Sequence, residues 1–414
     1  PAFHHSIYIR AFIKYYIYSG NKSFLQRAID LAEWNIKNST PRNYPYGGMP
    51  YSTCDKGRMG GNMDGVAIMT DKAAIMARAY IELYNITENK KFLDAAVVVA
   101  DCLAKNQRPD GSLPFRVNPE TGEVAESYTS SLIYAVELFE TLDEATGKDS
   151  YKNYRDMAFN WLMNYPVKTA EWRGFYEDVP SGTDYNRTNW DCIDMIRYLC
   201  KNKDEDPEYM KTAFSLLAYI QDSIIHDGKT FIDKSHAYQP AEGLREQKVC
   251  FITMGVHSAH LAVMLADLYK ATGDETYIGR AKQTMNFITY FMDPNGRIQT
   301  AIDDGLYWYS CHIGVDLFLM DFMSSYPELA KDGKNHLVSY LSAVTNIKYG
   351  KKEVVYTTKS GSNDALSLAF KPGKILVNGK ILPEGKNNHS NFWEFDERNN
   401  VLRISHTGGK VEVK

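Results

Sequence analysis

Two aspartates stand in settings suited to proton transfer. Asp191 closes the run Asn186-Arg187-Thr188-Asn189-Trp190-Asp191, where an amide, a guanidinium, an indole and a carboxyl meet at the start of a helical pattern. Asp64 follows Gly60-Gly61-Asn62-Met63, and the paired glycines let backbone approach a ligand closely. Two carboxyl groups on one cleft divide the work of acid and base: one protonates a leaving oxygen, the other activates water or attacks directly. A third acid, Asp304, sits in Asp303-Asp304-Gly305-Leu306-Tyr307-Trp308-Tyr309, with His312 one turn beyond. Neighbouring carboxyls raise one another's pKa, as a proton donor requires. His257, in Gly255-Val256-His257-Ser258-Ala259-His260, is the candidate base. Asp64, Asp191, His257 and Asp304 are therefore the catalytic candidates. Around them, Asn62, Arg187, Asn189 and Trp190 are candidates for binding, as are Tyr238, Glu242, Arg245 and Glu246 from one loop and Tyr307, Trp308 and His312 from another.

Each group also has a plainer use. A first-turn Asp191 complements the helix dipole, the histidines satisfy a core hydroxyl or carbonyl, and Asp304-Gly305 makes a turn. Asp64, Asp71 and Arg78 follow one another at two-turn spacing, which fits either a lumen stripe or a buried ion-pair network. No His, Cys or Asp set at ligand spacing accompanies His257 and His260, so neither a metal nor a cofactor is expected.

The elements that carry these residues repeat. Phe24, Phe92, Tyr151, Tyr209 and Tyr277 each open a helical stretch just after a short polar turn such as Thr87-Glu88-Asn89 or Thr272-Gly273-Asp274. A period of roughly sixty residues is that of a helical hairpin repeated along the chain. The periodicity predicts inner helices over 3–18, 64–84, 128–142, 189–200, 249–271 and 308–324. Their outer partners are predicted over 24–38, 92–103, 151–164, 208–225, 277–291 and 327–344. Counting back about twenty residues from each anchor reaches His4 and His5, Asp71 and Lys72, Ser130 and Ser131, Trp190 and Asp191, and His257, so polar groups recur at one depth. Loops such as Arg108-Pro109-Asp110-Gly111 and Asp293-Pro294-Asn295-Gly296 join the hairpins and form the rim of a cleft. Beyond residue 344 the pattern turns short, alternating and β-branched, broken by Asn378-Gly379, Asn399-Asn400 and Gly408-Gly409, as in an antiparallel β domain.

Six inner–outer helical hairpins, DG-type loops between them and a small β domain resemble the six-hairpin glycosidase superfamily. That resemblance implies a mainly α fold, an (α/α)6 toroid catalytic domain over 1–344, and a β-sandwich-like domain over 345–414. It also implies a carbohydrate-active enzyme that holds oligo- or polysaccharide in the toroid mouth, with aromatic platforms against the sugar and carboxylates at the inner helix starts. A glycoside hydrolase is the leading expectation. The alternatives are a polysaccharide lyase or uronate epimerase with a Tyr or His base and Arg187 or Arg245 as a uronate clamp, and a sugar-binding protein without catalysis.

Composition adds exclusions. A net charge of −4 over 414 residues offers no basic field for nucleic acid. The six cysteines form no CxxC pair, so no disulfide framework or zinc ribbon is indicated. No apolar run is long enough to span a bilayer. The chain starts at Pro1 with no signal-type segment, so a trimmed natural start is the expectation; location stays open, with a periplasmic or secreted one favoured.

Overall fold

The computed structural model describes residues 2–61, 65–225, 242–249, 252–301, 307, 309–385 and 391–414. Asn62, Asp64, Tyr238, Asp304 and Trp308 lie outside them.

Four of the outer helices begin with one device. In α2 (Lys22–Lys37), α4 (Lys90–Asn106) and α11 (Glu275–Phe287), the residue before the helix, Asn21, Asn89 or Asp274, accepts the amide of Ser23, Lys91 or Thr276. Asp206 does the same for Glu208 at the start of α9 (Glu208–Ile220). Three residues after each cap stands the repeated aromatic, whose own amide returns to the cap carbonyl. Phe92 is fully buried, and Phe24 stacks on Phe12 across the hairpin. The sequence repeat is thus a cap followed by a packing peg. The third copy differs: Tyr151 precedes α6 (Lys152–Asn164), and Asp143 accepts its amide.

The inner helices are α1 (Ala2–Ser19), α3 (Thr70–Thr87), α5 (Ile133–Thr146), α8 (Trp190–Lys201), α10 (Gly255–Thr272) and α12 (Tyr309–Ser325). A short turn of helix, α7 (Pro166–Thr169), follows α6. Burial separates inner from outer. Along α3 and α10 most side chains are buried, small alanines included, as in a helix surrounded by others. By contrast α2 buries one stripe. The inner helices close a ring: α1 packs on α3 and α12, α3 on α5, α10 on α8 and α12, while α5 and α8 touch least. The ring starts later than the periodicity predicts in α3, because Ile68–Met69 forms a short strand, β1, against β2 (Arg116–Val117).

A sixth outer helix over 327–344 is absent. After α12 the chain makes a single 3-10 turn, Pro327–Ala330, and then the strand β6 (His336–Ser339). The amide of Lys334 bonds to Asp332, and Gly333 takes φ +82°, so the Asp332-Gly333 turn ends helical growth. Leu337 then pairs with Leu366. The β module fills the place of that helix. Its sheets are β7 (Val344–Tyr349), β8 (Val354–Thr358), β14 (Gly409–Val413), β10 (Ile375–Val377) and β11 (Lys380–Ile381) in one, and β6, β9 (Ser362–Ser367), β13 (Val401–His406) and β12 (Phe392–Asp396) in the other, all antiparallel. The first strand therefore lies inside the range that the periodicity gave to helix. The module docks on α1: the Tyr349 hydroxyl donates to the Ile17 carbonyl at 2.5 Å and accepts the Leu337 amide at 2.9 Å, while His336 stacks on Tyr18 with ring centroids 3.7 Å apart.

Candidate active site

The starts of the inner helices meet in one polar layer. Lys72, in the first turn of α3, is fully buried; its ammonium donates to Asp71 at 2.9 Å and to the Phe175 carbonyl at 2.8 Å, and lies over the Phe175 ring. Phe175 is held there by Asn186, whose side-chain oxygen accepts the amides of Phe175 and Tyr176. Gly174 takes φ +80°, and a Cβ there would come within 2.5 Å of the Tyr128 carbonyl oxygen, so the loop requires glycine.

Asp191, in the first turn of α8, is fully buried. One oxygen accepts hydroxyls from Ser130 at 2.7 Å and Ser131 at 2.9 Å; the other has no partner among the described residues. Burial raises its pKa to about 7, against the serine hydroxyls and Lys72, with Asp71 adding repulsion. Burial likewise raises Asp71, with Lys72 opposing. The carboxyl of Asp191 therefore holds a proton up to neutral pH.

His257 faces Trp190 edge-on at 5.0 Å. Burial, with His260 adding repulsion, lowers its pKa to about 3, so the ring is neutral, and its Nδ1 has no partner among the described residues. His4, at the start of α1, is also lowered to about 4 by burial. Asn189, before α8, is fully buried with neither side-chain end bonded among the described residues. Unsatisfied amide, carboxyl and imidazole atoms gathered at one depth mark a place built to meet other polar groups.

The structure thus brings together Asp191, His257, Asn189 and Trp190. Trp190 is not a free platform: it is buried among Phe3, Phe175, His260 and Phe318. Other candidates lie apart. Glu242 is ion-paired to Arg280 on α11 at 2.7 Å. Arg187 is half exposed beside Asp184. Arg245 pairs by backbone with Thr253, and the Glu246 carbonyl accepts the Tyr176 hydroxyl. Tyr307 bonds to Asp293 and lies against Arg297, while His312 Nδ1 accepts the Ile298 amide. The layer also holds Asp71, Lys72, Ser130, Ser131 and His4, which the motif reading passed over although the depth count named all five. Among the described residues no three His, Cys, Asp or Glu side chains gather as a metal site would need, and no helix is long and apolar enough to cross a membrane.

With this geometry in hand, the likeness to solved structures is informative. A sugar epimerase from a ruminal bacterium matches with a TM-score of 0.59 and 15% identity, over 77% of this chain and 87% of that one. Cellobiose 2-epimerase from Bacillus thermoamylovorans matches at 0.58 and 15%, over 77% and 87%. The family 76 glycoside hydrolase α-mannanase from Bacteroides thetaiotaomicron matches at 0.53 and 14%, over 79% and 87%. The chain shares their toroidal fold. No protein-family model matches it, and no curated protein is similar to it in sequence. At these identities the likeness is one of fold, and the chemistry has to be argued from the side chains.

Proposed function

We propose that this protein is a carbohydrate-active enzyme, a glycoside hydrolase in which Asp191 is the general acid. The observation that carries the reading is the Asp191 carboxyl, kept protonated to about pH 7 with one oxygen unbonded among the described residues, at the depth where the inner helices converge. Cleavage of a glycosidic bond needs such an acid at the leaving oxygen and a second carboxylate for water or the anomeric carbon. Asp64, Asp304 and the ion-paired Asp71 are the candidates for that second role, and Asn189 is proposed as a hydroxyl-binding amide. That mannanase neighbours share the fold supports the reading.

A second reading rests on His257. Its neutral imidazole has a nitrogen with no partner among the described residues, placed to accept a proton once bound sugar raises its low basicity, and epimerase neighbours share the fold. The two are told apart by one set of incubations. Neutral and uronate-containing oligosaccharides are followed for new reducing ends, for absorbance of an unsaturated product, and by NMR for deuterium entering the sugar from D2O. New reducing ends lost in Asp191→Asn support hydrolysis. Deuterium at carbon without cleavage, lost in His257→Gln, moves the assignment to epimerisation; an unsaturated product would make it a lyase; sugar binding without reaction would make it a binding protein.

A further inference from the structure

On the far side of the aromatic layer formed by Phe3, Trp190 and Phe318, the toroid axis holds a cavity of about 390 Å³. It runs toward the C-terminal ends of the inner helices, away from Asp191, and reaches solvent between α8 and α10 at Lys201, Lys203 and Lys270. That volume suits a small metabolite.

Its charges are unbalanced. Six cations line it against three carboxylates, Glu137, Asp194 and Asp267. The deep guanidiniums are held but not saturated. Arg10 donates its Nε to Glu82 at 2.8 Å, Arg78 donates one Nη to Glu137, and Arg197 donates its Nε to Asp267 at 2.9 Å. The remaining nitrogens of Arg10 and Arg78 have no partner among the described residues. Both side chains line the cavity and stay 25% and 19% accessible. A network serving stability alone uses its donors on itself; this one leaves forks pointing into an open space. Carboxylates behind the wall, Glu82 and Asp321, offset the deep arginines, so the surplus falls at the mouth. There the exposed Lys201 pairs with the largely buried Glu140 and Lys203 donates to the Ala271 carbonyl at the end of α10, whereas Lys270 has no charged partner among the described residues. The helix C-termini disfavour an anion at this end, and the three lysines offset that dipole.

We propose that this axial cavity is a second ligand site, for a small phosphate-bearing metabolite whose oxyanion meets the lysines at the mouth and whose polar body meets Arg10 and Arg78. Trp190 is the wall it shares with the layer of Asp191 and His257; its cations are its own, so it stands or falls independently of the catalytic reading.

The test is calorimetric titration of the full chain with inorganic phosphate, glucose 6-phosphate and glucose. Saturable binding of the phosphate-bearing probes, absent for glucose, is expected, with affinity falling roughly tenfold in Lys270→Glu. Arg78→Gln should weaken binding similarly; it leaves Glu137 unpaired, so its fold is checked by circular dichroism, and the exposed Lys270→Glu carries the test if Arg78→Gln fails to fold. Failure of the folded wild type to bind either phosphate-bearing probe overturns the proposal. So does binding whose affinity is the same in Lys270→Glu, which would place the probe elsewhere.

Discussion

Replacing Asp191 by Asn should raise stability while removing activity, and the two effects should carry different pH dependences. In the unfolded chain this carboxyl ionises near pH 3.8; in the fold it does so at about 7. Between those values the folded state holds a proton that the unfolded state has released, so stability falls as pH rises, by about 1.4 kcal/mol per pH unit. The whole interval amounts to about 4 kcal/mol, present in full above pH 7 and absent below pH 3.8. Asn cannot ionise, and its oxygen still accepts a serine hydroxyl. Relative to wild type, the variant should therefore gain about 3 kcal/mol between pH 5 and pH 7. A second serine bond made less well costs the variant about 1 kcal/mol equally at every pH, which leaves that change intact. Urea unfolding at pH 5, 6, 7 and 8, read as the difference between the two proteins, measures it directly. Activity on the sugar that the panel identifies should fall by roughly a hundredfold or more in the same variant. A difference that does not change with pH, or an Asn variant that is less stable at pH 8, would refute the argument that burial holds this proton.

His257 behaves in the opposite sense. Its folded pKa lies near 3, so unfolding binds a proton between there and about pH 6.5, and stability is lost as pH falls through that window. His257→Gln should flatten the acid side of the stability profile by about 1.4 kcal/mol per pH unit. Lys72→Met strands Asp71 in the core and should cost about 3–5 kcal/mol in chemical denaturation, much of it restored by adding Asp71→Asn. Tyr349→Phe leaves the Leu337 amide without its acceptor and the Ile17 carbonyl without its donor; a loss of about 1–3 kcal/mol is expected from the unfolding midpoint.

What was legible in the sequence was local. The cap and the aromatic three residues later are fixed by neighbouring atoms, so Asn21 with Phe24 and Asp274 with Tyr277 announce their helices unaided. The helical ruler built on them also recovered the depth at which Lys72, Ser131, Asp191 and His257 meet. What failed depends on distant partners. The stretch 327–344 carries an apolar pattern usable by helix or strand, and only pairing with β9 decides between them. Glu242 looked like a rim ligand until Arg280, on another helix, took its carboxylate. Trp190 looked like a binding residue because nothing local reveals the rings of Phe3 and Phe318 that enclose it. Arg78, read as either lumen stripe or ion pair with Asp71, is split from it: Asp71 closes on Lys72, and Arg78 reaches across to Glu137.

The bond from Tyr349 to Ile17 joins residues 332 apart. Because α1 is made long before α12 and the strand that docks on it, the ring stays unsealed on the ribosome until most of these residues have emerged. An opened ring exposes the apolar flanks of α1 and α10 that α12 later covers, throughout the interval in which a nascent chain aggregates or is held by a chaperone. The closure that encloses the axis thus also sets the order of assembly: five hairpins accumulate as an arc, the arrival of α12 between α10 and α1 converts the arc to a circle, and the β module then clamps it.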